Sequence, residues 1–405
     1  MTTAELFDRF RSISSVDVRG ERVIVRADLN VPVSGAEVTD ATRIERLLPT
    51  LGDLSDRGAK VIVISHFGRP DGKPVAKYSL EPVAKKLASM MPGTAVHFAK
   101  DCVGPLAEEA VSRLQGGEIL VLENLRFHKE EEENGGSFAQ QLAKLGDIYV
   151  NDAFSVSHRA HASTEALAHL LPAYAGPSML AEIEAFKLAL DRPKRPVAAI
   201  VGGSKVSTKI DVLIHLAKKM DHLIIGGGMA NTFLYAKGHG IGRSICEPGL
   251  TGTVDAVLSE AARSGCRIAL PVDAVVANEL KPNPATQTVP ISEVSQESMI
   301  LDIGPRSISD FLQRVENCKT LLWNGPVGAF ETPPFGEGTF RLAQEAASLT
   351  EEGKLVTVAG GGDTVAALNA AGVTDKFTYV STAGGAFLEW LEGKTLPGVA
   401  ALARS

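Results

Sequence analysis

The sequence predicts an α/β protein of two domains, each a parallel β-sheet with crossover helices. Three observations carry that expectation. Short apolar runs alternate with amphipathic segments, the pattern of strand, helix and returning strand. The chain has 405 residues, more than one ordinary hydrophobic core accommodates. The apolar runs also fall into two series, with a proline-bounded helical stretch between them.

In chain order, the first series of strands is expected near Val23 to Asp28, Lys60 to Ser65, Ile119 to Glu123 and Asp147 to Asn151. These are short, nearly continuous apolar runs, as strands covered on both faces require. Between Pro172 and Pro196, the residues Leu180, Ile183, Phe186 and Leu190 recur three or four apart, giving one apolar helix face bounded by Pro177 and Pro193. That helix is expected to connect the domains. The second series is expected near Val197 to Val201, His222 to Ile225, Arg267 to Pro271, Met299 to Leu301, Thr320 to Trp323, Lys354 to Val358 and Phe377 to Val380.

Composition narrows the function classes. Apolar residues at 44% and charged residues at 22% describe a soluble globular protein. A formal charge of -7 argues against nucleic-acid binding, which wants a broad basic field. Cys102, Cys246, Cys266 and Cys318 form no CxxC pair, so neither a disulfide framework nor a zinc site is expected, and a reducing cytoplasm fits. The opening MTTAELFDRFRS mixes acids with bases, and no run is long enough to cross a bilayer, so neither export nor a membrane partner is expected. No exposed heptad or large apolar stripe stands out, so a monomer is expected. The acidic run Glu130 to Glu133 reads as a solvated surface loop.

In open parallel sheets, ligands bind beyond the carboxyl ends of the strands. In the first half those ends carry Arg26, Asp28 and Asn30, then His66 and Arg69, then Asn124 and Arg126, then Asn151, Asp152, His158 and Arg159, with Arg43 in a loop-to-helix stretch. Five arginines on one rim of an acidic protein repel one another unless an anion joins them, and a small polyanion bearing carboxylate or phosphate suits them. The competing reading pairs each arginine with a local acid, Arg43 with Asp40 or Glu45 for example. His158 and His161 lack a third ligand at metal-binding spacing and read as a hydrogen-bonded structural pair.

The second half differs. Its strand ends carry Gly202, Gly203, Lys205, Lys209, Gly226 to Gly228, Asp273, Asn324 and the loop Gly360 to Thr364. Such a rim admits a flat ring close to the backbone while two lysines reach phosphates, so a nucleotide fits. In LVTVAGGGDTVAAL, three glycines join a buried strand to a helix whose opening N–H groups and dipole favour a phosphate. Asp363 would repel that phosphate unless a magnesium ion bridged the two, and its alternative role is a helix N-cap. Neither GxxxxGK[ST] nor an orderly GxGxxG is present.

Taken together, VRADLNVP, SHFGRP, ENLRFH, VNDAFSVSHRAHAS, GGSKVSTKI, GGGMANTFL, WNGPVGAFE, GGGDTVAAL and STAGGAFLEWLEGKTLPGV resemble the phosphoglycerate kinase family through nearly the whole chain. The resemblance implies two Rossmann-like domains joined by a hinge helix. Residues 1–172 would bind 3-phosphoglycerate or 1,3-bisphosphoglycerate, 173–193 would connect, and 194–391 would bind ATP or ADP with Mg2+. The tail, about 392–405, would pack back on the first domain. It implies a phosphoglycerate site of Asp28, Asn30, Arg43, His66, Phe67, Gly68, Arg69, Arg126 and Arg159. It also implies a nucleotide site of Gly202, Gly203, Lys205, Lys209, Gly226, Asn324, Glu331, Gly361, Gly362, Asp363 and Thr364, with Glu331 at the ribose and Asp363 linked to the metal. Gly227 and Gly228 would border the adenine with Gly202, Gly203 and Gly226. Ala383 departs from the family, which usually has glycine there, and bears only on local loop geometry.

The implied reaction is reversible phosphoryl transfer between 1,3-bisphosphoglycerate with ADP and 3-phosphoglycerate with ATP. A carboxylate acceptor is already ionised near neutrality, so positioning and charge stabilisation are expected to carry catalysis. Arg43, Lys205 and the helix N-terminus after Gly361 are the expected contacts of the transferring group, with hinge closure excluding water. A nicotinamide-dependent dehydrogenase lacks its fingerprint here. The remaining alternative is a non-catalytic nucleotide or polyanion sensor on the same fold.

Overall fold

A computed structural model describes residues 10–35 and 37–403. The first nine residues of MTTAELFDRFRS and the last two of the tail lie outside them. The chain divides into two compact units: unit 1 takes it to Glu184 and again from Thr395, and unit 2 is Ala185–Lys394.

Unit 1 is built on strands β1 (Arg22–Arg26), β2 (Lys60–Ile64), β3 (Val96–Ala99), β4 (Ile119–Leu122), β5 (Ile148–Asn151) and β6 (Ala173–Ala175). They form one six-stranded sheet in the order β3-β4-β2-β1-β5-β6, parallel throughout. Its central strands are buried almost from end to end, as sheets covered by helices on both faces must be. Register places Arg26 opposite both Ile64 and Asn151, so the carboxyl ends of β1, β2 and β5 stand level. The residues that follow therefore share one rim.

Helix Thr42–Asp56 covers one face of this sheet with Ile44, Leu47, Leu51 and Leu54, spaced three or four apart and all buried. Asp40 accepts from the Thr42 N–H at 2.9 Å at its start, so Arg43 falls in its first turn. The sequence reading misses β3 and β6. Both are edge strands, one half-exposed and the other three residues long, so neither shows a continuous apolar run.

Unit 2 carries β7 (Val197–Val201), β8 (His222–Ile225), β9 (Arg267–Ala269), β10 (Asp273–Ala277), β11 (Gln287–Pro290), β12 (Met299–Ile303), β13 (Thr320–Asn324), β14 (Val356–Gly360) and β15 (Tyr379–Ser381). Six of them form a second parallel sheet in the order β9-β8-β7-β13-β14-β15. The run at Met299 does not join it. β12 pairs antiparallel with β10, which pairs on its other side with β11, in a separate three-stranded sheet, β11-β10-β12.

The expected connector forms helix Pro177–Phe186 followed by a wider turn, Lys187–Asp191, before Pro193. Ile183, Phe186 and Leu190 of its apolar face are buried, and Leu180 is partly so. Phe186 stacks on Trp390 with centroids 4.5 Å apart.

Candidate functional site

The rim of unit 1 is assembled around Asp28, two residues past β1. Its carboxylate meets Arg43 Nη1 at 2.8 Å and accepts from Ser155 Oγ at 2.5 Å, while the same Nη1 donates to the Asn30 carbonyl at 3.0 Å. Arg43 thus finds neither Asp40 nor Glu45 but the end of the neighbouring strand. Asn30 Oδ1 accepts from the Gly68 N–H at 2.9 Å, and Arg126 Nη1 donates to the Gly68 carbonyl at 2.8 Å, clamping the loop after β2 from both sides. Gly68 sits at φ +60°, and a Cβ there would lie 2.4 Å from the Tyr78 ring, so only glycine lets this turn form. Phe67 is buried beneath it, its N–H held by Asn124 Oδ1 at 3.1 Å.

Positive charge accumulates here. Arg126 is buried, and its Nη2 has no hydrogen-bond partner. Burial lowers its pKa to about 10, against the pull of Glu132 at 3.2 Å and with further lowering from Arg159 and Arg26. Arg159 is half-buried, donates from Nε to His158 at 3.2 Å, and has no carboxylate within ion-pair distance among the described residues. Arg69 is exposed. His66 is buried, and its pKa is held well below the ordinary range by that burial and then by Arg26, Arg126 and Arg159. It is therefore a neutral imidazole. Nδ1 lies 3.2 Å from Arg26 Nη2, and because arginine only donates, Nδ1 is the acceptor and Nε2 carries the proton.

In unit 2 three glycine-bearing loops interlock. A Cβ on Gly202 would fall 1.9 Å from the Pro326 carbonyl oxygen, and one on Gly226 would fall 2.5 Å from Val327. The strand ends of β7, β8 and β13 thus approach backbone to backbone. Lys209 Nζ reaches into this junction and donates to the carbonyls of Gly202 at 2.8 Å and Asn324 at 3.1 Å. Burial lowers its pKa to about 8, opposed by Asp363. Lys205, at the start of the short turn Val206–Thr208, is exposed.

Beyond β14, Gly361 caps helix Gly362–Ala370 at φ +99°. Asp363 is therefore not the N-cap but lies in the first turn, exposed beside the helix's opening N–H groups. Thr364 is buried, its Oγ1 accepting from the Gly325 N–H at 2.7 Å and donating to the Gly360 carbonyl at 2.8 Å. Asn324 Nδ2 donates to that same carbonyl at 2.7 Å. A pocket of about 280 Å³ opens among these loops, lined by Gly203, Gly227, Gly228, Asn231, Glu331 and Asp363 among others.

Two further sequence expectations fail. Asp273 opens β10 instead of closing a strand; its carboxylate is buried against the Arg306 and Ser307 N–H groups, where it caps helix Pro305–Glu316. Glu131 is fully buried, not solvated, with Ser163 donating to it from Oγ at 2.6 Å and from N at 2.9 Å. Nothing in the run KEEEE distinguishes that one acid, since its partner lies thirty-two residues away.

A profile of the phosphoglycerate kinase family matches residues 13–394. A phosphoglycerate kinase of Allorhizobium ampelinum is 58% identical over 388 residues, covering 96% of this chain and 97% of its own. That of Rhizorhabdus wittichii is 58% identical, covering 97% of this chain and 99% of its own. The solved phosphoglycerate kinase of Coxiella burnetii matches with a TM-score of 0.91 at 40% identity, over 98% of this chain and 99% of its own. That of Pyrococcus horikoshii gives 0.78 at 28% identity, over 96% and 98%.

Proposed function

The chain belongs to the phosphoglycerate kinase family, and we propose that its two rims divide that reaction's substrates between them. The reaction is the glycolytic phosphoryl transfer between 1,3-bisphosphoglycerate with ADP and 3-phosphoglycerate with ATP. Unit 1 takes the phosphoglycerate, with Asp28, Asn30, Arg43, His66, Phe67, Gly68, Arg69, Arg126 and Arg159 around it. One observation supports this most: the buried Arg126 with its unpartnered Nη2, a costly group until an anion meets it. His66 donates from Nε2 as a neutral group and Arg159 brings an unneutralised charge.

Unit 2 takes the nucleotide, with Gly202, Gly203, Gly226 and Glu331 toward the nucleoside and Lys205, Lys209, Asn324, Gly361, Gly362, Asp363 and Thr364 toward the phosphates. The first turn of helix Gly362–Ala370 suits phosphate, but the exposed Asp363 carboxylate there fits only if a cation shares the site. Mg2+ held through Asp363 would supply neutralisation of the nucleotide phosphates. Arg43 and Lys205 contact the transferring group, and no residue is needed as general base because the acceptor is a carboxylate. Transfer in line requires the two substrates to meet during turnover, so closure about the connector accompanies it. We place the protein in the cytoplasm, whose reducing conditions suit its four free cysteines, and infer a monomer from a sequence without an exposed heptad or large apolar stripe.

ATP formation dependent on ADP, magnesium and 1,3-bisphosphoglycerate tests the reaction, and its absence would overturn it. Arg43→Ala and Lys205→Ala are each expected to lower kcat on the order of 10²-fold or more. Near-native kcat in either variant removes that residue from the mechanism.

A further inference from the structure

Glu131 lies outside the rim of unit 1 but is joined to it by an unbroken line of buried hydrogen bonds. Its Oε1 accepts from Ser163 Oγ at 2.6 Å and its Oε2 from the Ser163 N–H at 2.9 Å. Ser163 Oγ in turn accepts from Arg26 Nε at 2.8 Å, and Arg26 Nη2 meets His66 Nδ1 at 3.2 Å. Glu131, Ser163 and Arg26 are all fully buried. Two further bonds hold the line in place: Arg26 Nη1 donates to the Ala27 carbonyl at 2.5 Å, and Tyr149 Oη donates to the Ser163 carbonyl at 2.7 Å.

The direction of every bond follows from chemistry. A guanidinium only donates, so Ser163 Oγ and His66 Nδ1 must accept from it. The Ser163 proton is then left to point at Glu131, whose two oxygens accept both groups that Ser163 offers. Burial disfavours the Arg26 cation, and the Glu131 carboxylate one hydroxyl away is the strongest of the charges that oppose this, ahead of Asp28.

We propose that Glu131 is a positioning residue for phosphoglycerate binding: through Ser163 and Arg26 it fixes His66 as the tautomer protonated at Nε2, so that this nitrogen donates to the anionic substrate. The inference rests on His66 being a substrate residue, as assigned above. Glu131 itself touches no substrate. Glutamine in its place has one acceptor and one donor group, so in either orientation an N–H faces a Ser163 donor. Either that contact is lost or the hydroxyl turns around, and Arg26 loses its counter-charge.

The test compares wild type, Glu131→Gln, His66→Asn and the double variant, with Ser163→Ala as a second cut in the line should Glu131→Gln fail to fold. Nitrogen-15 NMR of the imidazoles is expected to show His66 protonated at Nε2 alone in wild type and as a tautomer mixture in Glu131→Gln and Ser163→Ala. KM for 3-phosphoglycerate is expected to rise about tenfold in those variants, the equivalent of one hydrogen bond to a charged group, with KM for ATP unchanged. Glu131→Gln is expected to add nothing to His66→Asn. A His66 tautomer unaltered by both cuts, equal changes in both KM values, or full additivity would each overturn the proposal. His66→Asn with native KM for 3-phosphoglycerate would instead remove His66 from the substrate site, while the NMR would still judge the tautomer control.

Discussion

Lys209 illustrates how one side chain acquires its chemistry from surroundings that its sequence neighbours do not reveal. Lys209 stands four residues after Lys205, yet it immediately precedes helix Ile210–Lys219 and turns inward onto two carbonyls, while Lys205 stays exposed. Burial lowers its pKa to about 8. The side chain therefore loses this charge as pH rises through about 8, and a nucleotide phosphate bound beside it as proposed would restore it. Nucleotide affinity is expected to fall above that pH and binding near pH 9 to take up a proton, which calorimetry in two buffers of different ionisation enthalpy measures. Lys209→Arg is expected to abolish both effects, and the absence of proton uptake by wild type would refute the assignment. For stability, a depressed lysine pKa works the other way: its favourable contribution is full only above the unfolded value near ~10.4 and is lost as pH falls through about 8. His66 and Glu131 teach the same lesson: burial shifts each of them most, lowering the imidazole and raising the carboxyl, and the charged neighbours that add to or oppose that shift come from other strands and loops.

The strand–glycine–helix element at β14 was legible because its parts are consecutive: a buried run, a turn that needs positive φ, and a helical continuation. The sequence could not place the cap. Gly361 takes it because the chain there adopts φ +99°, and a Cβ would stand 2.8 Å from Asn324 Nδ2, a group delivered by the adjacent strand β13. Gly361→Ala is therefore expected to lower stability by about 1–3 kcal/mol through backbone strain. By displacing Asn324 and the helix N-terminus, it is also expected to raise KM for ATP about tenfold with KM for 3-phosphoglycerate unaltered. A variant with native melting temperature and native KM for ATP would show that the loop tolerates a side chain. The edge strands β3 and β6 escaped because pairing with a neighbour, and not apolar content, makes them strands, and the separate sheet of β10, β11 and β12 escaped because strand partners are not written in local sequence.

At the scale of the whole molecule, the tail belongs to the unit that the chain left two hundred residues earlier. Gly398 donates to the Ser157 carbonyl at 2.9 Å, and Leu396, Val399 and Leu402 are buried. Each such side chain contributes about 1.5–3 kcal/mol on burial. A chain ending at Lys394 is therefore expected to unfold unit 1 at markedly lower urea, with the unit 2 transition unchanged and KM for 3-phosphoglycerate raised, because Ser157 adjoins His158 and Arg159. Identical midpoints would show the tail to be dispensable. By itself the sequence determined the α/β class, the central strands of both parallel sheets and the family, since periodicity and consecutive motifs are local properties. Tertiary structure alone decided that Arg43 answers Asp28, that Arg126 is buried with a donor to spare, that Lys209 turns inward and that Glu131 lies in the interior. Those outcomes depend on burial and on partners far along the chain, and a charge's energy is set by what surrounds it in space.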